Sequence, residues 1–132
     1  MFRKMIGAIL ILCLLPLGAA VAAGEAKTVY ASDFSRDEDG WYGRGAQSVR
    51  TKDNTLKTTG RSSDWNSPGR DFTLVETGEY KLSVEVFQDS VDSANFMISS
   101  AHTKDGAETY ENRARGTAKK GEWTKLEGTY IA

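Results

Sequence analysis

An all-β chain folded as an antiparallel β-sandwich is the expectation from this sequence, and three observations carry it. From Lys27 onward no stretch repeats apolar residues at helical spacing over three turns. Apolar and polar residues alternate instead with a period of two, and the alternating runs are short and divided by Gly, Asn and Asp clusters. A strand with one face on a core and the other in water requires that alternation. The clearest run is 79–87, where Tyr80, Leu82, Val84 and Val86 alternate with Lys81, Ser83 and Glu85. Residues 94–100 repeat the pattern with Phe96 and Ile98, and 124–131 repeat it with Leu126 and Tyr130. Asp53-Asn54 divides strands at 47–51 and 55–58 into a hairpin. Further strands are predicted at 29–34, 72–75 and 109–117. Trp41 and Trp123, each beside a predicted strand, are expected to close the ends of the core. Tyr110 is open on these grounds, as either an inward strand residue or an exposed one.

The beginning of the chain is set apart. Arg3 and Lys4 precede an apolar run over 5–17, followed by small residues through Gly24, with cleavage signatures at Ala20-Val21-Ala22 and Val21-Ala22-Ala23. Residues 1–23 therefore read as a secretory signal peptide, residues 24–132 as one domain, and the expected location is extracellular. Cys13 is the only cysteine and leaves with the peptide, so no disulfide is expected in the mature chain.

Charge and side-chain chemistry narrow the function classes. The 17 basic and 18 acidic residues leave no surplus to neutralise a phosphate backbone, which argues against a nucleic-acid partner. After signal cleavage no apolar segment is left for a membrane, and a monomer is expected. No phosphate-binding Gly run is present. One histidine without mature cysteine excludes the usual zinc sites, and His102 sits in the polar turn sequence 101–106. A glycosidase needs two carboxylates flanking a cleft; Glu76, Glu79, Glu85, Asp89, Asp92, Glu108 and Glu111 are available, but none forms a local acid–nucleophile pair. A secreted structural or adhesive sandwich that binds protein is a further alternative.

The binding reading rests on aromatic and polar residues in turn-rich segments: Trp41-Tyr42-Gly43-Arg44, Asp64-Trp65-Asn66 and Thr109-Tyr110-Glu111-Asn112-Arg113. A sugar ring has a flat apolar face and a rim of hydroxyls. An indole or phenol covers the face, while Arg, Asn or Glu at its edge exchanges hydrogen bonds with the rim. Trp65 is the most suggestive, because Ser, Asp, Asn, Ser and Pro surround it rather than an alternating apolar run. The alternative for Trp65 is a cap on the end of a core.

The strings WYGRG (41–45), GRSSDWNSPGRDF (60–72), GEYKLSVEVF (78–87) and GEWTKLEGTY (121–130), in this order, resemble secreted carbohydrate-binding modules of the family 4, 9 and 22 group. The resemblance is greatest to the family 22 modules attached to bacterial xylanases. It implies a β-jelly-roll with an open groove for a β-1,4-linked xylan chain or a related β-glucan. The module itself would be noncatalytic and would hold a secreted endo-1,4-β-xylanase on plant cell-wall polysaccharide. The family's groove arginine matches Arg44, its tryptophan platform Trp65 and its facing tyrosine Tyr110. The family also closes its fold with a strand carrying Tyr-x-Glu and another carrying an Asp pair near a structural calcium. This chain stops at Ala132 before either, so a sandwich lacking its final strand is expected. Asp33 is retained, but Ser35 stands where a Glu usually follows Phe, which bears on the expected Ca2+.

Overall fold

The computed structural model describes residues 26–132; the signal peptide expected over 1–23 lies outside them. Eight strands follow one another: β1 Tyr42–Arg44, β2 Gln47–Arg50, β3 Leu56–Thr59, β4 Ser67–Gly69, β5 Glu79–Phe87, β6 Ser93–Lys104, β7 Ala107–Lys119 and β8 Trp123–Ile131. No helix occurs among the described residues, and every strand pair is antiparallel: β1 with β4, β2 with β3, β5 with β8, and β6 with β7. The all-β antiparallel expectation holds.

The main core lies between the β5–β8 pair and the β6–β7 hairpin. Tyr80 of β5 is buried in a separate cluster with Tyr30, Leu74 and Tyr130, whereas Val84 and Val86 of β5 and Leu126 of β8 are buried in the main one, with Val84 directly opposite Leu126 in the ladder. Ala114 and Ala118 of β7 are buried against them, and Phe96 and Ile98 of β6 pack on the same cluster. Burying each large aliphatic side chain contributes roughly 1.5–3 kcal/mol. The two layers meet unusually closely at two glycines. A Cβ on Gly116 would stand 2.3 Å from Leu126 Cδ2, and one on Gly128 would stand 2.1 Å from the Arg113 carbonyl oxygen. Interior packing at crystal-like density leaves no room for either methyl, so β7 is locked in register on β8.

One irregularity interrupts the hairpin. Ile98 pairs with Ala114, but Ser99 pairs with Asn112, which leaves Arg113 as an extra residue on β7. Such a bulge bends the strand and re-aims its side chains. Arg113 is held by a 2.7 Å bond from Nε to Ser100 Oγ, by Glu111 at 2.6 Å, and by the Tyr130 ring 4.9 Å from its guanidinium carbon.

Several expectations are corrected. Residues 29–34 do not form a strand; only Ser32 makes an isolated bridge. Phe34 adopts a left-handed backbone at φ 54°, which ends any extended run, and Arg50 fixes that turn by donating to the Phe34 and Ser35 carbonyls. Residues 72–75 are likewise not a strand, since Phe72 turns edge-on to Tyr30 at 5.1 Å while Val75 is exposed. His102 is not in a turn: β6 continues to Lys104, and the turn is Asp105-Gly106 alone. Trp41 and Trp123 are partly buried; the first donates Nε1–H to Tyr30 Oη at 2.9 Å, and the second packs on Phe87 at 5.1 Å.

Candidate functional site

The short β1–β4 pair presents the first part of the site. Tyr42 and Arg44 alternate with Gly43, so both point to one exposed face. Opposite them, Gly69 pairs with Tyr42 and Ser67 with Arg44. A Cβ on Gly69 would stand 2.6 Å from Arg44 Cδ and 3.4 Å from Tyr42 Cε2. The bare glycine therefore lets the arginine stem and the phenol ring lie across β4.

The outer face of the β6–β7 hairpin supplies the second part. Tyr110 pairs with Ala101, Asn112 with Ser99, and Glu108 with Thr103, all on the side away from the core. Tyr110 is 50% exposed, which settles its open alternative in favour of the surface. The two parts meet. Arg44 Nη2 donates to Tyr110 Oη at 2.8 Å, and its guanidinium carbon lies 5.3 Å from the Tyr110 ring centroid. Tyr110 donates in turn to Glu108. Beside this relay, Tyr42 donates to Asp71 at 3.1 Å. Farther along the same hairpin face, Ser99 donates to Asn112 at 3.1 Å and Thr117 to Asn95 at 2.8 Å.

These contacts set the protonation of both phenols. The bond to the Glu108 carboxylate pushes the Tyr110 phenol above its usual range, against the opposing pull of Arg44. Asp71 does the same to Tyr42. Both therefore stay neutral donors across physiological pH. Arg44 makes one hydrogen bond among the described residues, so Nε and Nη1 keep their protons for an incoming oxygen.

Trp65 is the third part. It is 79% exposed, the highest exposure of any aromatic described, so the core-cap alternative is set aside. No hydrogen bond or ring contact joins it to another described residue, including Arg44 and Tyr110. Its loop is nonetheless tightly held. Arg61 donates through Nε to the Asn66 carbonyl at 2.7 Å and through Nη2 to the Asp64 carbonyl at 2.8 Å, on both sides of Trp65. The Asn66 side-chain oxygen accepts from Ser62 N, Ser62 Oγ and Ser63 N at 2.9–3.1 Å. Its amide nitrogen sits over Gly45, where a Cβ would come within 2.2 Å. Asn66 is next to Trp65 and Gly45 is next to Arg44, so this contact ties the indole's loop to the end of β1. The R-x-x-x-W spacing thus has a local cause: Arg61 closes the turn that carries the indole outward.

From the sequence, Arg44, Trp65 and Tyr110 are assigned to the sugar; Tyr42 enters only within the Trp41–Arg44 segment and Glu108 only as a carboxylate for the glycosidase alternative, and Asp71 is given no role. Two of these carried a signal, since Tyr42 precedes Arg44 by two and Glu108 precedes Tyr110 by two, the spacing that puts strand residues on one face. Glu108 and Glu111, by contrast, lie on opposite faces of β7, through their pairing with Thr103 and Ser100. Among the described residues no group of three or more His, Cys, Asp or Glu side chains is placed to hold a metal, and Asp33 accepts from Ser35 N at 2.9 Å.

Comparison with known proteins is consistent with this geometry. A family profile described as a carbohydrate binding domain, of the family 4 and 9 type, matches residues 26–132. A xylanase/beta-glucanase of Ruminococcus flavefaciens is 33% identical over 106 residues, covering 74% of this chain and 13% of that protein. Endo-1,4-beta-xylanase A of Thermoanaerobacterium saccharolyticum is 29% identical over 101 residues, covering 69% of this chain and 9% of that protein. The chain thus spans a small fraction of the length of either relative. No solved structure gives a significant match.

Proposed function

The chain belongs to the carbohydrate binding domain family, and we propose that it binds a β-1,4-linked xylan chain on the face formed by Tyr42, Arg44, Trp65 and Tyr110. The observation that carries the proposal is the contact of Arg44 with Tyr110, together with a bare indole whose loop is tied to the end of β1 through Asn66 and Gly45. In this reading Trp65 stacks on one pyranose face and Tyr110 flanks the ring. Arg44 gives its unused N–H groups to hydroxyl or ring oxygens from a planar fork. The Ser99–Asn112 and Asn95–Thr117 pairs extend the face along the hairpin and hold polar groups for further hydroxyls.

Binding would serve a larger secreted enzyme. The matched relatives are a xylanase/beta-glucanase and an endo-1,4-xylanase. A tethered module with weak affinity raises the local concentration of its attached catalytic partner at an insoluble polymer.

Affinity electrophoresis in soluble xylan, with β-glucan in parallel gels, tests this. Retardation by xylan is expected, and Trp65→Ala should abolish it while leaving the melting temperature unchanged. Normal retardation of Trp65→Ala would remove the platform from the account. Retardation by β-glucan alone would move the substrate and keep the site.

A further inference from the structure

The side of the hairpin on which Tyr110 stands is decided by a count. From Ile98 to Lys104, β6 has seven residues; from Ala107 to Ala114, β7 has eight. Both ends of this stretch are fixed. At the tip, Lys104 pairs with Ala107 around Asp105-Gly106, whose φ values of 52° and 79° are those of the two-residue turn that matches strand twist. At the base, Ala114 and Ala118 are buried and Gly116 is pressed on Leu126. The extra residue must therefore bulge out, and it does so at Arg113.

An alternative register satisfies the same core without a bulge. Opening the tip to a three-residue loop, the next most common hairpin connection, would pair Ser100 with Asn112 and His102 with Tyr110. A cross-strand pair shares one face. Phe96 and Ile98 face the core and Ser100 and His102 continue their alternation, so Tyr110 and Asn112 would turn inward. We propose that Asp105 and Gly106 are positioning residues for the sugar face: their two-residue turn selects the bulged register, and that register is what directs Tyr110, Asn112 and Glu108 outward toward Arg44. No atom lies within 4 Å of a Cβ placed on Gly106, so its conformation and not its packing is what the site requires there. The proposal rests on the reading that Tyr110 touches sugar, and the test separates the two.

Gly106→Val forbids the left-handed backbone at the tip while touching no neighbour. Register is read by disulfide trapping: Ser100→Cys with Glu111→Cys reports the bulged register, and Ser100→Cys with Asn112→Cys the slipped one. The expected result is that Gly106→Val exchanges the first crosslink for the second and weakens xylan binding by about tenfold or more. Deleting Arg113 removes the extra residue and leaves every cross-strand pair on its present face. The deletion alone should keep binding, and combined with Gly106→Val it should restore it, a rescue that general destabilisation would not give. Should Gly106→Val not fold, the single deletion still decides, because loss of binding in a folded Arg113 deletion overturns the proposal. Retention of the Ser100–Glu111 crosslink and of binding in Gly106→Val also overturns it. A crosslink exchange in a protein whose parent never bound xylan would leave the register device standing and remove the sugar reading.

Discussion

Of the arginine–aromatic clusters among the described residues, those around Arg70 and Arg44 differ in how much of their hydrogen-bonding capacity is consumed internally. In the first, the Arg70 guanidinium lies 4.1 Å from the Tyr30 ring centroid and 4.8 Å from that of Phe72, with Nε donating to the Asp39 carbonyl at 2.7 Å. Tyr30 donates to Asp39 at 2.6 Å and accepts from the Trp41 indole. Every polar group there has found a protein partner. In the second, Arg44 has a single bond to Tyr110, and the Trp65 indole N–H has none among the described residues. The same residue types make a structural clamp where they saturate one another, and where they do not they keep the donors that the proposed sugar site calls for.

The contrast is broken most forcefully at Arg70. Arg70→Ala removes two cation–π contacts and a charged hydrogen bond, and should cost about 3 kcal/mol of folding stability. Chemical denaturation would read that loss, and xylan affinity per folded molecule should stay as in the parent. Arg44→Ala should do the reverse, lowering xylan affinity about tenfold, or roughly 1.4 kcal/mol, with little change in the denaturation midpoint. Calorimetric titration with a xylan oligosaccharide measures the first quantity. If Arg44→Ala destabilises the fold and Arg70→Ala weakens binding, the two roles have been assigned to the wrong clusters.

A smaller effect sharpens the comparison through pH. Burial, and then the bond to Asp39, raises the Tyr30 phenol above its ordinary value, whereas Glu108 raises the exposed Tyr110 phenol. For Tyr30, a folded pKa above the unfolded one means that its contribution to stability is intact below the unfolded value near 10 and is lost as pH rises through the higher folded value. Alkaline melting curves of the parent should therefore fall more steeply than those of Tyr30→Phe in that window. Xylan affinity should hold up to the same range and decline only as Tyr110 ionises and ceases to donate.

How much of this was legible in the sequence follows from what each region asks of it. β5 and β8 were plain, because Val84, Val86 and Leu126 alternate with polar residues without interruption. Trp65 was plain for the opposite reason, being an indole among turn residues. The N-terminal run containing Tyr30 and Phe34 reads as a strand, but Phe34 is buried and Tyr30 half-buried from a loop that a left-handed Phe34 bends, while Val29 is exposed. Periodicity counts apolar positions and carries no record of φ. Tyr110 could not be placed at all, since an unbroken alternation through Ala118, Gly116 and Ala114 would have sent it inward. The single bulged residue that exchanges the faces depends on the turn and the core together, and no local pattern at Arg113 announces it. β1 and β4, at three residues each, are too short for any period to show.

The central claim, that sugar is held on the unsaturated cluster, is tested most directly by the three tryptophan indole N–H resonances during titration with a xylan oligosaccharide. The account predicts that the Trp65 signal moves in step with the backbone amides of residues 42, 44 and 110, while the signals of Trp41 and Trp123 stay in place. Movement of Trp41 or Trp123 with Trp65 unmoved would contradict it.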